Sequence, residues 1–353
     1  MSTLIVPAAG KSSRFPNMKP KWLLTHPTGD LMIKKVLDSF EYYKYDRTII
    51  TILKEHCHKY DADIILNQIF DNNVEVLILD YPTDSAAETI VKTIQECDLS
   101  GRIIIKDSDC VVDPCFELVS TRNGIVGMQI NSTSGVDKIQ TKSFIVKNDD
   151  DIIMDIVEKE IVSNTICIGV YSIFVDDFML AYREICDSYV YKKDNEIYVS
   201  HVISYLILQH NKIFNYIKSD KFVDWGTKQD WIKEQNKFKT YIFDIDGVLL
   251  MNYGKYGIKN WSNTFEPIQQ NINLLKKLSD EGHQIIFMTA RSNLDLKEFK
   301  QFMSDMDIQY KQIISDCFHG KRIIINDFAN TNTYPSCQAV SIKRNDLLED
   351  YIL

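Results

Sequence analysis

Short apolar runs rich in isoleucine and valine recur along the first two thirds of the chain, at residues 4–7, 48–53, 74–79, 102–106, 125–130 and 166–172. They are strand-sized, and their nearly unbroken apolar character predicts strands covered on both faces. Residues 32–43 and 85–97 lie between them with apolar positions at helical spacing, which predicts amphipathic helices laid on a sheet. Strand and helix in alternation is the pattern of an α/β unit with a mostly parallel sheet covered by helices. The acidic stretch 148–151 breaks the pattern as a hairpin tip.

The chain turns polar at 228–239 (KQDWIKEQNKFK), and a new buried-type strand starts at Thr240 (TYIFDIDGVLL). Further strands are expected at 284–288, 322–325 and 338–342, with helices at 268–278 and 294–306. A second α/β unit follows from this, and the chain divides into residues 1–236 and 237–353, each of ordinary domain size.

Composition narrows the function classes. The 353 residues are 45% hydrophobic and 25% charged, as in a folded globular protein. A formal net charge of -9 argues against nucleic-acid binding, which needs a basic face to displace counterions. Eight cysteines without a Cys-x-x-Cys pair suggest reduced thiols, with neither a zinc site nor a disulfide scaffold. His56 with His58, and Cys110 with Cys115, lack a third ligand nearby and are expected to be structural or solvated. The opening MSTLIVPAAGK reads as a strand and not a secretory leader. No run reaches the about 18 apolar residues of a membrane span, so a soluble cytoplasmic protein with no membrane partner is expected.

Candidate chemistry sits at strand ends. The first strand runs into Ala8, Ala9, Gly10, Lys11, Ser12, Ser13 and Arg14, followed by Lys19 and Lys21. Small residues let backbone N–H groups approach phosphate oxygens, and the cations neutralise a polyphosphate. The Gly-Lys-Ser is not a Walker A loop, because Ile5 stands where that motif needs its first glycine. The strand at 102–106 ends in Asp107-Ser108-Asp109, two carboxylates where open α/β sheets bind ligands, suited to a hard divalent cation. Asp224 follows another apolar strand.

In this order the features resemble the nucleotidyltransferases that make nucleotide-activated sugars and alcohols, over roughly residues 1–235. Their opening loop, G-x-G-[ST]-R-[LF] then K-P-K, is matched by Gly10 to Phe15 and Lys19-Pro20-Lys21, with Ser12 in place of the second glycine. The resemblance implies a Rossmann-like, GT-A-like mixed sheet with helices on both faces. It implies Mg²⁺ held by Asp107, Asp109 and Asp224, and the nucleotide base near Ser85. It also implies an acceptor site at Glu158, Lys159, Asn164, Tyr171 and Glu196. An acceptor phosphate would attack the α-phosphorus of a nucleoside triphosphate and expel pyrophosphate, with Arg14 gripping the triphosphate and Lys21 neutralising transition-state charge. The Ser-Arg-Phe loop resembles cytidylyltransferases, so CTP is favoured over UTP and dTTP.

In the second unit Asp244 and Asp246 leave one strand end on the same side. Two such close carboxylates need a cation or a proton between them. With Thr289, Lys321 and Asp327 they resemble the haloacid dehalogenase superfamily of phosphohydrolases, with Asn326 where a second acid is common. That resemblance implies a capless or small-cap Rossmannoid domain with Asp244 as nucleophile and Asp246 as general acid. Thr289 and Lys321 would bind the phosphoryl group, and Asp244, Asp327 and the backbone carbonyl of Asp246 would hold Mg²⁺. Tyr253, Tyr256 and Trp261 are candidates to line its mouth or to pack its flap.

The expectation is a bifunctional enzyme acting on a nucleoside triphosphate and a phosphorylated sugar or polyol, for activated precursors of surface polysaccharide. The oligomeric state is left open, a homo-oligomer included. Rivals are a glycosyltransferase using the Asp107-Ser108-Asp109 element and a nucleotide-binding regulator whose phosphatase half is inactive.

Overall fold

The computed structural model describes residues 2–130, 138–188, 196–254, 265–327 and 337–352. Two compact units divide the chain, Met1–Asp230 and Trp231–Leu353.

Unit 1 is built on β1 (Thr3–Pro7), β2 (Arg47–Leu53), β3 (Glu75–Leu79), β4 (Arg102–Lys106), β5 (Cys110–Val112), β6 (Gly124–Gln129), β7 (Ser143–Lys147), β8 (Ile152–Glu158), β9 (Thr165–Phe174), β10 (Phe214–Lys218) and β11 (Phe222–Asp224). Its helices are α1 (Met32–Ser39), α2 (Lys54–Tyr60), α3 (Ala62–Ile69), α4 (Ala86–Glu96), α5 (Phe116–Thr121), α6 (Val175–Asp187) and α7 (Val199–His210), with α8 (Lys228–Asn236) crossing the division. Nine strands form one sheet in the order β3-β2-β1-β4-β9-β6-β10-β8-β7.

The first four are parallel, and the order reverses between β1 and β4. The carboxyl ends of β1 and β4 are therefore the switch point where such sheets bind ligands. β9 runs antiparallel to β4 and β6, so the sheet is mixed, as the resemblance implied and not mostly parallel as the apolar runs alone suggested. Long β9 is buried along nearly its whole length, which offsets the cost of ordering it. The tip at 148–151 joins the antiparallel β7 and β8, with Asn148 Oδ1 accepting the Asp150 and Ile152 N–H groups.

α4 follows the expected stripe, with Ala87, Ile90, Val91 and Ile94 buried. α1 ends earlier than the expected residue 43, because Glu41 turns left-handed at φ 54. That turn folds Phe40 and Tyr45 onto each other, centroids 5.7 Å apart. The polar run 228–239, expected as a linker, contains α8, in which Trp231 is buried.

Unit 2 has a three-stranded parallel sheet, β12 (Thr240–Phe243), β13 (Gln284–Met288) and β14 (Gln312–Ile314), in that order. Helix Gln269–Asp280 buries Ile272, Leu275 and Leu278. Helix Lys297–Asp305 opens from a 3-10 turn at Asn293–Leu296, later than the expected 294. The strands expected at 322–325 and 338–342 are absent. Ile323 and Ile325 stay 75% and 91% exposed, so apolar content there is not matched by a paired neighbour. β14 comes from a stretch with too few apolar residues to stand out.

Candidate active site

Burial of β1 carries the chain straight to the switch point. There Ala8 and Ala9 are buried, and the Trp22 indole N–H donates to the Ala8 carbonyl at 3.1 Å. Phe15, also buried, anchors the far end of the loop, its N–H donating to the Ser12 carbonyl at 2.8 Å. Ser12, where the resembling family favours glycine, adopts the left-handed region at φ 48. Such a conformation costs a side-chain-bearing residue about 1 kcal/mol or more, and the Ser12 hydroxyl offsets part of it by accepting the Lys21 N–H at 3.3 Å. Ala8 and the run 10–14 line a cleft of about 340 Å³, closed on other sides by Lys21, Ser85 and Glu196. Ala9, fully buried between Ala8 and Gly10, does not line it. Ser85 caps α4, its hydroxyl accepting the Glu88 N–H at 3.1 Å.

β4 delivers the acids. Asp107 N–H donates to the Gly169 carbonyl at 2.8 Å. Its carboxylate lies against Gly169, where φ is 75 and a β-carbon would meet Asp107 Oδ2 at 2.3 Å, so only glycine leaves room for it. No hydrogen bond reaches that carboxylate from the described residues. Burial, and then the neighbouring Asp109, push it up to about 6. Asp109 is held below the usual carboxylate range despite burial, by Lys21, which donates to it. The short antiparallel ribbon β11–β5 sets Asp224 opposite Cys110, and Trp225 N–H donates to the Asp109 carbonyl at 2.8 Å. The third acid so reaches the site. A β-carbon on Gly226 would stand 3.0 Å from Asp224 Oδ1 and 3.2 Å from Asp109 Oδ2.

Two residues the sequence did not flag complete this floor. Lys106 is fully buried, its ammonium donating to the carbonyls of Asp107 and Cys110 at 2.8 Å each and to Cys110 Sγ at 3.0 Å. Lys142 donates to Asp224.

Among the described residues one cluster can hold a metal, Asp107, Asp109 and Cys110. Burial pushes the Cys110 thiol up to about 12, and its sulfur accepts from the buried Lys106 ammonium at 3.0 Å. The carboxylate oxygens of Asp107 and Asp109, the former accepting no hydrogen bond among the described residues, fit a hard cation such as Mg²⁺.

The acceptor-side residues separate. Glu158 accepts the hydroxyls of Ser143 and Ser200, the latter at 2.7 Å. Lys159, at φ 58, donates to the Tyr198 hydroxyl, which donates to Glu196 Oε2 at 2.5 Å. Asn164 is exposed at the start of β9, its side-chain oxygen accepting from Thr165 at 3.2 Å. Tyr171 is instead 6% exposed within the core, and its phenol is strongly raised by burial. After burial, the neighbouring Cys167, Asp107 and Glu158 raise it further.

In unit 2, Asp244 lies at the end of β12 with Arg322 Nη2 donating to it at 3.3 Å. Burial raises Asp244 more than Arg322 lowers it. Asp246 is clamped by Arg291, Nε and Nη2 donating at 2.9 and 2.7 Å. Thr289 is fully buried at the end of β13, its hydroxyl accepting the Arg291 N–H at 3.1 Å. Lys321 and Asp327 lie exposed on the segment that forms no strand. The strand expected to carry Asp327 beside Asp244 does not form, and no cluster of three metal-ligating side chains including Asp244, Asp246 and Asp327 is found among the described residues. Tyr256 and Trp261 lie outside the described residues. Tyr253 donates to Glu266.

Neither a protein-family model nor a curated protein matches the chain. Solved structures do. A nucleoside-diphosphate-sugar pyrophosphorylase from Vibrio cholerae RC9 is 18% identical over 66% of this chain and 99% of its own, with a TM-score of 0.57. The inositol-1-phosphate CTP transferase from T. maritima is 14% identical over 65% of this chain and 91% of its own, at 0.52. A UDP-glucose pyrophosphorylase complexed with UDP-glucose is 16% identical over 67% and 97%, at 0.51. The likeness is one of fold. It covers the N-terminal region, and unit 1 therefore has the fold of sugar-phosphate nucleotidyltransferases.

Proposed function

We propose that unit 1 transfers a nucleotidyl group from a nucleoside triphosphate, CTP by preference, to the phosphate of a sugar or polyol, releasing pyrophosphate with the help of Mg²⁺. The observation that carries this is the Asp107 carboxylate, which accepts no hydrogen bond among the described residues and lies beside Asp109 at the switch point. The fold shared with an inositol-1-phosphate CTP transferase and with nucleotide-sugar pyrophosphorylases supports it.

An acceptor phosphate oxygen forms a bond to the α-phosphorus while the bond to the β-phosphate oxygen breaks, and pyrophosphate leaves with the electron pair. Asp107, Asp109 and Asp224 would hold Mg²⁺, which would supply charge neutralisation at the phosphates. The N–H groups of the 10–14 loop hold the triphosphate, Arg14 and Lys21 offset the charge that builds on it, and the N-terminus of α4 with Ser85 faces the nucleoside. Glu158 orients acceptor hydroxyls, with Ser143 and Ser200 orienting Glu158, and Lys159 meets the acceptor phosphate.

Pyrophosphate release from ATP, GTP, CTP, UTP and dTTP with Mg²⁺ and pooled sugar and polyol phosphates tests this. Release that requires the pool and is fastest with CTP is expected. Release with none of the five removes the proposal.

For unit 2 we propose phosphomonoester hydrolysis centred on Asp244, supplying or trimming a phosphorylated intermediate of the same pathway, such as an activated precursor of surface polysaccharide. Asp244 attacks phosphorus, the alcohol leaves with a proton from Asp246, and water then cleaves the aspartyl phosphate. The strand-end pair Asp244 and Asp246, with Thr289 on the neighbouring parallel strand, supports it. Because Arg291 holds both Asp246 oxygens by hydrogen bonds, the acid role requires that ion pair to open. Loss of phosphate release from p-nitrophenyl phosphate in Asp244→Asn is expected, and its persistence would exclude Asp244.

A further inference from the structure

Lys142 lies one residue before β7, and its carbonyl accepts the Lys159 N–H at 3.0 Å. It extends the β7–β8 ladder by one rung past the Ser143–Glu158 pair. Its backbone is thus fixed to the two residues assigned to the acceptor, while its side chain reaches away, over the Phe222 ring at 5.4 Å, to Asp224. Both members are largely buried, 17% and 20% exposed. A lysine at such a place loses hydration and side-chain freedom, so a surface ion pair of little consequence does not describe it.

Asp224 has both oxygens engaged, Oδ2 with Lys142 and Oδ1 with the Gly226 N–H at 3.0 Å. Three carboxylates, Asp107, Asp109 and Asp224, meet three ammonium groups, Lys21, Lys106 and Lys142. Lys106 is locked on backbone carbonyls, and Lys21 faces the nucleotide cleft. Only Lys142 couples the acids to the acceptor side. A free dication gains little from an already balanced cluster, whereas one arriving with phosphates brings the charge that lets an ammonium move.

Resting on the nucleotidyl-transfer reading, we propose that Lys142 is a further substrate-binding residue: it competes with the divalent cation for Asp224, and on cation binding its ammonium passes to the acceptor phosphate beside Lys159. The cation and the acceptor phosphate then bind with positive coupling.

Binding of Mn²⁺ alone to the full-length protein, followed by electron paramagnetic resonance, tests this without turnover. Lys142→Gln keeps a donor to Asp224 and removes the charge. It should bind Mn²⁺ about tenfold more tightly than wild type, and Lys142→Arg should not. Calorimetric titration of inorganic phosphate in the presence of Mg²⁺ should show binding about fivefold weaker in Lys142→Gln. Lys142→Met, with its fold checked by circular dichroism, repeats both measurements should the Gln side chain fail to reach Asp224. Mn²⁺ affinity unchanged or lower in the neutral variants overturns the competition, and unchanged phosphate binding overturns the hand-over. Absence of pyrophosphate release by wild type would instead remove the nucleotidyl-transfer reading and leaves these binding results standing.

Discussion

Asp107 combines what a stable protein avoids with what a cation site requires. A carboxylate whose pKa is raised above its unfolded value holds its proton better when folded, so its contribution to stability is present at low pH and lost as pH rises through the folded pKa. For Asp107 that window runs from about 3.8 to about 6. Asp107→Asn should therefore gain stability relative to wild type as pH rises through that window, measured by urea unfolding. Its pyrophosphate release should fall by about a hundredfold or more; stability lost at pH 7 would contradict the account of Asp107. The strand-end acids were legible in the sequence because β-strand burial and the Asp-x-Asp spacing both appear within eight residues. Lys142 was not, since its meaning lies in a partner 82 positions away, and an isolated lysine ahead of a strand reads as solvated. For Tyr171 the pattern is silent: a tyrosine in a strand can face core or cleft, and period-two alternation does not tell which in a strand buried on both faces.

The turn from β4 to β5 has to bring two carboxylates together, and Lys106 holds it by tying the carbonyls on either side of Asp109. Lys106→Met would leave two carbonyls without a donor, which costs at least about 2 kcal/mol, seen as a lowered urea midpoint at unchanged slope. A loss under about 0.5 kcal/mol would show that the turn holds without it. The parallel strands β1 to β4 were readable because they are unbroken apolar runs. β7, β8 and β10 were less so, their polar and apolar positions being mixed as suits strands nearer the sheet edge. At 322–325 the same rule misled, because apolar content marks a strand only where a neighbour is there to pair. Ile325→Asp, at a 91% exposed position, should change stability by less than about 0.5 kcal/mol. A loss above about 2 kcal/mol would show that this segment is packed.

Two units with separate cores and separate strand-end acids predict two separable chemistries. Asp244→Asn should remove phosphate release and leave pyrophosphate release within about twofold, and equal loss of both would overturn the two-site account. The division of the chain was visible as the change to polar sequence near 228–239, although helix α8 occupies it where a linker was expected. No helix among the described residues is long and apolar enough to cross a membrane. The central claim is attack at the α-phosphorus by an acceptor phosphate, and the fate of label tests it most directly. With CTP labelled at the α-phosphate, Mg²⁺ and pooled sugar and polyol phosphates, the label should appear in a new cytidine diphosphate conjugate. With the γ-label it should appear in pyrophosphate alone. Label from the γ-phosphate in the acceptor, or α-label confined to CMP or CDP, would contradict nucleotidyl transfer.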